Sequence, residues 1–399
     1  MKALIAGGGI GGLASAIALR LRGWDVSVFE QAPALSELGA GLQISPNGWR
    51  VLDGLGVVPH LEHAVFEPDA IEMRMGRSGR QVFHLPMKTC ARERWGAPYT
   101  QIHRADLADA LAARLATLAP DAVQTGRVVT AFAQTDSTAT LRFDDGGTAD
   151  GDCIIGADGL HSAIRTQMLG PDRPRYTGNM AWRAVVPVDA LGDLAPPPTA
   201  CVWAGDRRHG VTTQLRAGTL ANFVGMVEQA EPAREGWRIE GSKADAQAAF
   251  AGWHPVISTL IAKADTLNRW ALFDRAPLPR WHDRRVGLMG DAAHPMLPSM
   301  AQGAVQALED AWVLADALSD ATSVDAGFAR YFNARIARTS RIQKGSAANA
   351  RIFHKGSALG RVGFYGPMAI GARLVPGLIH ARQDWVYRYD ARTALQDAT

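Results

Sequence analysis

Apolar positions recur along this chain with two periods, and the order in which those periods alternate predicts a mixed α/β protein. Lys2 to Ala6 is a short continuous apolar run that reads as a buried strand. Gly12 to Arg22 follows with Leu13, Ile17 and Leu21 on one face, the spacing of a helix, and Asp25 to Glu30 reads as a second strand. This is the start of a βαβ unit. Glu37 to Gly41 reads as loop, and Pro46 then predicts a helix over Ser45 to Leu55, because a first helical turn has no use for the N–H that proline lacks. Alternation over Ala70 to Phe83 predicts strands outside the first unit, and Arg104 to Leu118 returns to helical spacing.

Alternation resumes at Val128 to Phe132 and Thr138 to Phe143, with Gly146-Gly147 as a turn, and a strand from Asp152 to Ile155 leads the chain back to the first unit. Asn179 to Val186, Cys201 to Trp203, Gly210 to Leu215 and Asn222 to Val227 are rich in Val, Thr, Trp and Phe and read as one antiparallel sheet. Ser242 to Ala264 reads as helix, Trp270 to Leu278 leads to a strand at Arg285 to Met289, and Gly303 to Leu318 is helical. From Val324 the pattern is mostly helical, broken by Gly and Pro between Gly356 and Gly377. The interleaving predicts a nucleotide domain built from 1–70, 100–178 and 281–335, a β-rich substrate domain from 71–99 and 179–280, and a helical region at 336–399.

Composition narrows the class without naming it. Apolar residues at 47% and charged ones at 20% are ordinary globular usage, which argues against disorder and fibrous architectures. Lys+Arg 42 against Asp+Glu 39 leaves no basic block that would track a phosphate backbone, so nucleic acid is not an expected partner. Cys90, Cys153 and Cys201 have no CxxC spacing, which predicts neither a disulfide framework nor a metal site. The N-terminal apolar run meets glycines too soon for a signal peptide or a membrane span, so a cytoplasmic protein without membrane contact is expected.

Candidate chemistry sits where strands end. Gly7, Gly9 and Gly12 form GxGxxG between a strand and a helix, a pattern that lets backbone approach a pyrophosphate and aims helix N–H groups at it. Glu30, 18 residues after Gly12 at the end of the second strand, suits an adenosine ribose. This motif does not separate FAD from NAD. In GADGLHSAIR, Asp158-Gly159 follows a strand and Ser162 and Arg165 stand at the spacing of a helix opening, with Arg165 open to either nucleotide. GDAAHPMLPSMAQG, from Gly290 to Gly303, joins a strand, the acid Asp291, a loop stiffened by Pro295 and Pro298, and a helix start.

Those three motifs in that order, with HRADLADAL from His103, resemble the class A flavoprotein aromatic hydroxylases over nearly the whole chain. GAGLQISPN at Gly39 to Asn47, AWRAVVP, GWHP, WALFDRAPLPRW and MAQGA resemble the branch holding salicylate hydroxylase, 3-hydroxybenzoate 6-hydroxylase and the hydroxynicotinate monooxygenases. The resemblance implies an α/β fold with a Rossmann-like, p-hydroxybenzoate hydroxylase-like FAD-binding domain, an inserted β-sheet substrate domain and C-terminal helices. It implies FAD held by Gly7, Gly9, Gly12, Glu30, Gly41, Arg104, Asp158, Asp291, Met300, Ala301 and Gly303, with Pro298 beside the isoalloxazine. NADH or NADPH would reduce FAD, and O2 would give a flavin C4a-hydroperoxide that attacks an electron-rich ring.

For the substrate side the resemblance points to His209 as a base and Gln302 as a polar substrate contact. Taken alone, His209 also reads as a sheet or turn histidine. Thr213 stands where a companion Tyr is expected and Gln43 where the hydroxynicotinate enzymes have His, so the small aromatic substrate stays open. Arg183 and Arg216 are candidates for a substrate carboxylate, and Trp182, Trp203 and Phe223 for an apolar lining or for plain core. His294 reads as structural. The alternative is a flavin-binding redox-sensing or interaction protein without turnover, and the C-terminal helices offer a homodimer face.

Overall fold

A computed structural model describes residues 1–35, 41–230, 239–349 and 376–396, with 365–367, 369–372 and 374 between the last two blocks. Most of the expected loop before Gly41 and much of the Gly- and Pro-broken stretch after Gly356 lie outside the described residues.

The first sheet has six strands in the spatial order His282–Asp283, Val286–Leu288, Cys153–Gly156, Lys2–Ala6, Asp25–Glu30 and Val123–Thr125. All pairings are parallel except at the His282–Asp283 edge. Cys153–Gly156 is buried along its length and Lys2–Ala6 at all but its first residue, as expected of parallel strands covered on both faces. The helix Ile10–Arg20 packs on the helix Gly303–Ser319 because its small residues permit it. A Cβ on Gly11 would lie 3.3 Å from both Ala307 Cβ and Met289 Cε. Val129–Gln134, Ala139–Phe143 and Thr148–Gly151 form an antiparallel meander, turned by Gly146 at φ +81°. This is the Rossmann-like arrangement expected from the pattern.

The second sheet has eight strands: Ile239–Glu240, Asn268–Asp274, Arg175–Pro187, Leu220–Glu228, Arg208–Leu215, Ala200–Gly205, Ala70–Met75 and Gln81–Pro86. The four segments expected to pair antiparallel do so. Ala70–Met75 joins Ala200–Gly205 in parallel, so the complete sheet is mixed. One face is closed by the helices Lys243–Ala249 and Pro255–Lys263, against which Trp182, Trp203 and Phe223 are buried. Each large side chain so buried stabilises the packing by about 1.5–3 kcal/mol. A single helix from Ser242 to Ala264 is not what forms: Gly252 at φ +70° ends the first segment and Pro255, behind the capping residue His254, starts the second.

A third, three-stranded sheet of Gly41–Ile44, Thr100–His103 and Val65–Phe66 bridges the two large sheets, and the polar helix Lys88–Trp95 follows the Gln81–Pro86 edge. The helix Val324–Asn349 packs on Gly303–Ser319. The C-terminal helix Asp384–Tyr387 is fastened to Lys88–Trp95 by Arg94, whose Nε and Nη2 both donate to Asp384 at 2.8 Å. Among the described residues no helix is long and apolar enough to cross a membrane, and no cluster of His, Cys, Asp or Glu is arranged to hold a metal.

Candidate active site

Two glycine-bearing loops touch at the strand ends of the six-stranded sheet. Gly7 adopts φ +106°, and a Cβ there would stand 2.4 Å from the Ala157 carbonyl oxygen. At Gly12 a Cβ would stand 1.9 Å from the Gly7 carbonyl oxygen. Only glycine fits either place. Gly9 is the extended cap of Ile10–Arg20, whose first-turn N–H groups have no partners within the helix. Glu30 Oε2 accepts the Gly8 N–H at 2.7 Å and Oε1 accepts the Ala32 N–H at 2.8 Å. Its carboxylate therefore braces the glycine turn, and each oxygen keeps further acceptor capacity.

Asp158 follows Cys153–Gly156 and packs beside Gly7. Its Oδ2 accepts the Ile164 N–H at 3.1 Å while Ser162 caps the helix Ala163–Leu169 through the Arg165 N–H at 2.8 Å. Oδ1 is buried without a partner. Burial raises the carboxyl pKa above its ordinary value, against the helix N–H groups that lower it. Arg165, open to a nucleotide on sequence grounds, is 3% exposed and spent internally. It donates to the carbonyls of Leu160 at 2.6 Å, Ala292 at 3.1 Å and Asp291 at 3.3 Å, and pairs with Asp172 at 3.1 Å. Its work is to clamp the loop of Asp158 to the loop of Asp291.

In the 290–303 segment, Gly290 turns at φ +56° and donates its N–H to Asp310 Oδ2 at 3.0 Å. His294 Nε2 meets the same oxygen at 2.5 Å, the structural role its sequence position indicated. Asp291 has accessible surface within dense surroundings, the signature of a residue lining a deep cleft. Burial raises its pKa, and Arg104, His294, Arg165 and Arg275 oppose the rise. Arg104, first residue of Arg104–Leu118, is thus brought to Asp291 as a neighbouring cation. Leu160, Trp270, Asp291, Pro295, Met296 and Pro298 line one pocket. Pro298–Met300 is one tight turn, Ala301 is left-handed at φ +50°, and Gly303 opens the long helix. Met300 turns its sulfur toward Gly345, which leaves its backbone to the loop.

Gln302 departs from expectation. The family resemblance implies a substrate contact there, but the residue is 1% exposed. Its Nε2 donates to Ser45 at 2.9 Å and its Oε1 accepts from Asn47 at 3.1 Å and Gln306 at 3.3 Å. Asn47 also donates to Glu309 at 2.7 Å, so Gln302 belongs to a buried polar network beneath the helix start.

Strand register decides what faces the cleft from the eight-stranded sheet. Trp182, Trp203 and Phe223 point to the helices, so their lining role is replaced by core. The opposite parity carries Ala181 and Arg183, then Asn222, Val224 and Met226, then His209, Val211 and Thr213. Leu297 of the 290–303 loop packs on that face with Ala181, Met226, Trp270 and Leu272. His209 is 3% exposed there, opposite Ala204 and Met226. Asn222 donates to Thr213 at 3.2 Å and accepts the Gly41 N–H at 3.3 Å, joining the sheet to the bridging strand. Arg216 lies elsewhere, in a bidentate pair with Asp106 at 2.7 and 2.9 Å.

A family profile described as FAD binding domain matches residues 1–345. The chain belongs to that family. It is a class A flavoprotein hydroxylase, an FAD-dependent monooxygenase. The hydroxylase is 39% identical over 352 residues to 3-amino-4-hydroxybenzoate 2-monooxygenase PtnB3 of Streptomyces platensis, covering 88% of each chain. It is 36% identical over 351 residues to 6-hydroxynicotinate 3-monooxygenase of Pseudomonas fluorescens, covering 86% of this chain and 90% of that one. The crystal structure of Klebsiella pneumoniae HpxO with FAD and uric acid matches with TM-score 0.83 at 30% identity, covering 95% of both chains.

FAD suits the residues the hydroxylase brings together. The Gly7 and Gly12 loop admits no side chain, the Asp158 Oδ1 is an unsatisfied buried acceptor next to it, and Asp291 and Arg104 adjoin along the same cleft. Sequence reasoning missed Asn222 and Trp270 on the cleft face and the network of Asn47, Glu309 and Arg335 behind the loop. Period-two parity from His209 and Thr213 was the available signal for Asn222. Nothing in local spacing links 47, 309 and 335.

Proposed function

We propose that this hydroxylase uses NADH or NADPH and dioxygen to add oxygen to an aromatic or heteroaromatic ring that already carries a hydroxyl group and a carboxylate. The observation that carries the reading is His209 on the sheet face that the 290–303 loop closes. The two relatives named above, which act on a hydroxybenzoate and a hydroxynicotinate, support the substrate class. Bound FAD supplies hydride acceptance and oxygen activation. Asp291 and Arg104 would hold its ribityl side, and Glu30, Asp158 and the glycine loop its adenosine and pyrophosphate side.

His209 takes the proton of the ring hydroxyl on an imidazole nitrogen, and the phenolate so formed is the stronger nucleophile. Ala181, Val224, Met226 and Leu297 keep water from the reacting ring. Pro298 stiffens the loop, and the N–H groups from Gly303 onward favour negative charge at the helix start. Gln302 positions that helix start from behind. We place the enzyme in the cytoplasm, in keeping with three free cysteines and a pyridine nucleotide co-substrate, and infer a homodimer through the exposed side chains Ile370, Leu374 and Leu378.

The test is a panel of hydroxybenzoates and hydroxypyridine carboxylates with FAD-loaded protein, scored by NADH and NADPH oxidation and by incorporation of labelled dioxygen into product. A yellow protein whose oxidation rate rises with substrate and whose product carries one labelled oxygen is expected. Protein that stays colourless with added FAD, or oxidation without labelled product across the panel, overturns the reading.

A further inference from the structure

Arg183 stands on the cleft face of Arg175–Pro187 with no ion pair and no side-chain hydrogen bond among the described residues, and its Nε is buried without a partner. Its guanidinium lies 4.8 Å from the centroid of the Trp270 ring on the neighbouring strand. Burial, with Arg104 nearby as a second positive charge, lowers its pKa to about 10, so it remains charged at neutral pH. Among the described residues its guanidinium faces another cation and no carboxylate, which is unfavourable by itself, and a planar fork of donors matches a carboxylate or a phenolate oxygen. The neighbouring arginines are committed: Arg165 to loop carbonyls and Arg216 to Asp106.

Register adds a spatial argument. Arg183 lies opposite Val224, which lies opposite Val211, two residues along the strand from His209 on the same face. Two strand spacings and one same-face step put the Cα atoms of His209 and Arg183 roughly 12 Å apart. Side chains stand off a sheet roughly in parallel, so the two heads keep about that separation, which suits a single six-membered ring with an oxygen substituent at each end and a hydrogen bond to each head. We propose that Arg183, held flat by Trp270, is the receptor for the anionic oxygen of the aromatic substrate, either its carboxylate or its phenolate. This assignment rests on the function proposed above and names the group that recognises its substrate class.

The test uses FAD-loaded protein and titrates the flavin absorbance change with 6-hydroxynicotinate, its carboxamide and its methyl ether. Arg183→Met should weaken 6-hydroxynicotinate binding ~10- to 100-fold, the loss of a charge-assisted pair, with Arg183→Gln behaving alike and Arg183→Lys recovering part. FAD affinity should stay within about twofold of wild type, well below the change for a lost charged contact. The analogue whose binding is insensitive to Arg183→Met identifies the recognised oxygen: the carboxamide for the carboxylate, the ether for the phenolate. Unchanged binding of all three ligands, or an FAD affinity that falls by the same factor as the substrate's, overturns the proposal. Arg183-dependent anion binding in a wild-type protein that incorporates no dioxygen leaves this assignment standing and defeats the hydroxylase substrate reading. Oxygen incorporation with Arg183-independent binding does the reverse.

Discussion

Replacing Arg335 by Met removes the central cation of a buried charge cluster while nearly conserving volume. Arg335 is fully buried and donates to Asp310 at 2.8 Å, Glu309 at 2.7 Å and Gln306 at 2.7 Å. Breaking a buried pair from one side destabilises by about 3–5 kcal/mol, because the remaining charge stays desolvated. Arg338 remains on Glu309 and His294 on Asp310, which puts the expected loss at the lower end, about 3 kcal/mol. For a chain of 399 residues, at about 2.1 cal/mol/K of unfolding entropy per residue, that is a fall of roughly 3–4 °C in the unfolding midpoint. The loss depends on pH with a defined sign. Burial pushes both carboxyls up, but His294 and Arg335 outweigh it at Asp310, and Arg338 and Arg335 at Glu309. Both folded-state pKa values therefore lie below the unfolded ones, and this stabilisation is complete above the unfolded values and disappears as pH falls through the folded ones. In the variant, burial meets less opposition and both values rise toward the ordinary carboxylate range, so its deficit narrows as pH falls through that range, from about pH 7 toward about pH 3. Thermal unfolding followed by circular dichroism and by flavin fluorescence release at those two pH values measures it. A loss under about 1 kcal/mol, or the same loss at both, refutes the electrostatic account.

Gly12→Ala places a Cβ 1.9 Å from the Gly7 carbonyl, so the purified variant should emerge without yellow colour and fail to take up added FAD by absorbance titration. His209→Asn should retain FAD while lowering kcat on the best substrate about 100-fold, the size of a lost general base, measured by labelled-product formation. A full-speed variant would remove His209 from the chemistry. Leu374→Glu, at a side chain 72% exposed, should convert a dimer to a monomer in light scattering with kcat/KM unchanged. A wild type that is already monomeric ends that idea.

What the chain disclosed in advance follows from how far apart the cooperating residues are. The glycine loops could be read because their spacing encodes a local backbone path, visible in Gly7 at φ +106° and in its contact with Ala157. Glu30 and Asp291 could be read because the first ends a strand at a fixed interval from a glycine and the second follows a strand directly after Gly290. The break at 250–254 was also local, marked by Gly252 and Pro255, yet the apolar period on either side concealed it. Gln302 was not readable in the same way. A residue just before a helix can turn its side chain toward the cleft or into the core, and Ser45 and Asn47, the latter 255 residues away, settle the direction. Likewise, alternation separates Trp182 from Arg183 but does not say which parity meets the cleft. That choice is made when the helices Lys243–Ala249 and Pro255–Lys263 cover one face.

The strand order of the six-stranded sheet bears on how the protein is made. Cys153–Gly156 can pair with Lys2–Ala6 as soon as it is synthesised, but its other edge is covered by Val286–Leu288, about 130 residues later. At typical elongation speeds of about 5–20 residues per second, an apolar strand edge waits roughly 6–26 s for its neighbour while six of the eight strands of the second sheet are translated. Open edges of that kind invite pairing with other chains. Heterologous yield of this enzyme should therefore respond to slower growth temperature and to chaperone supply more than to changes on its finished surface.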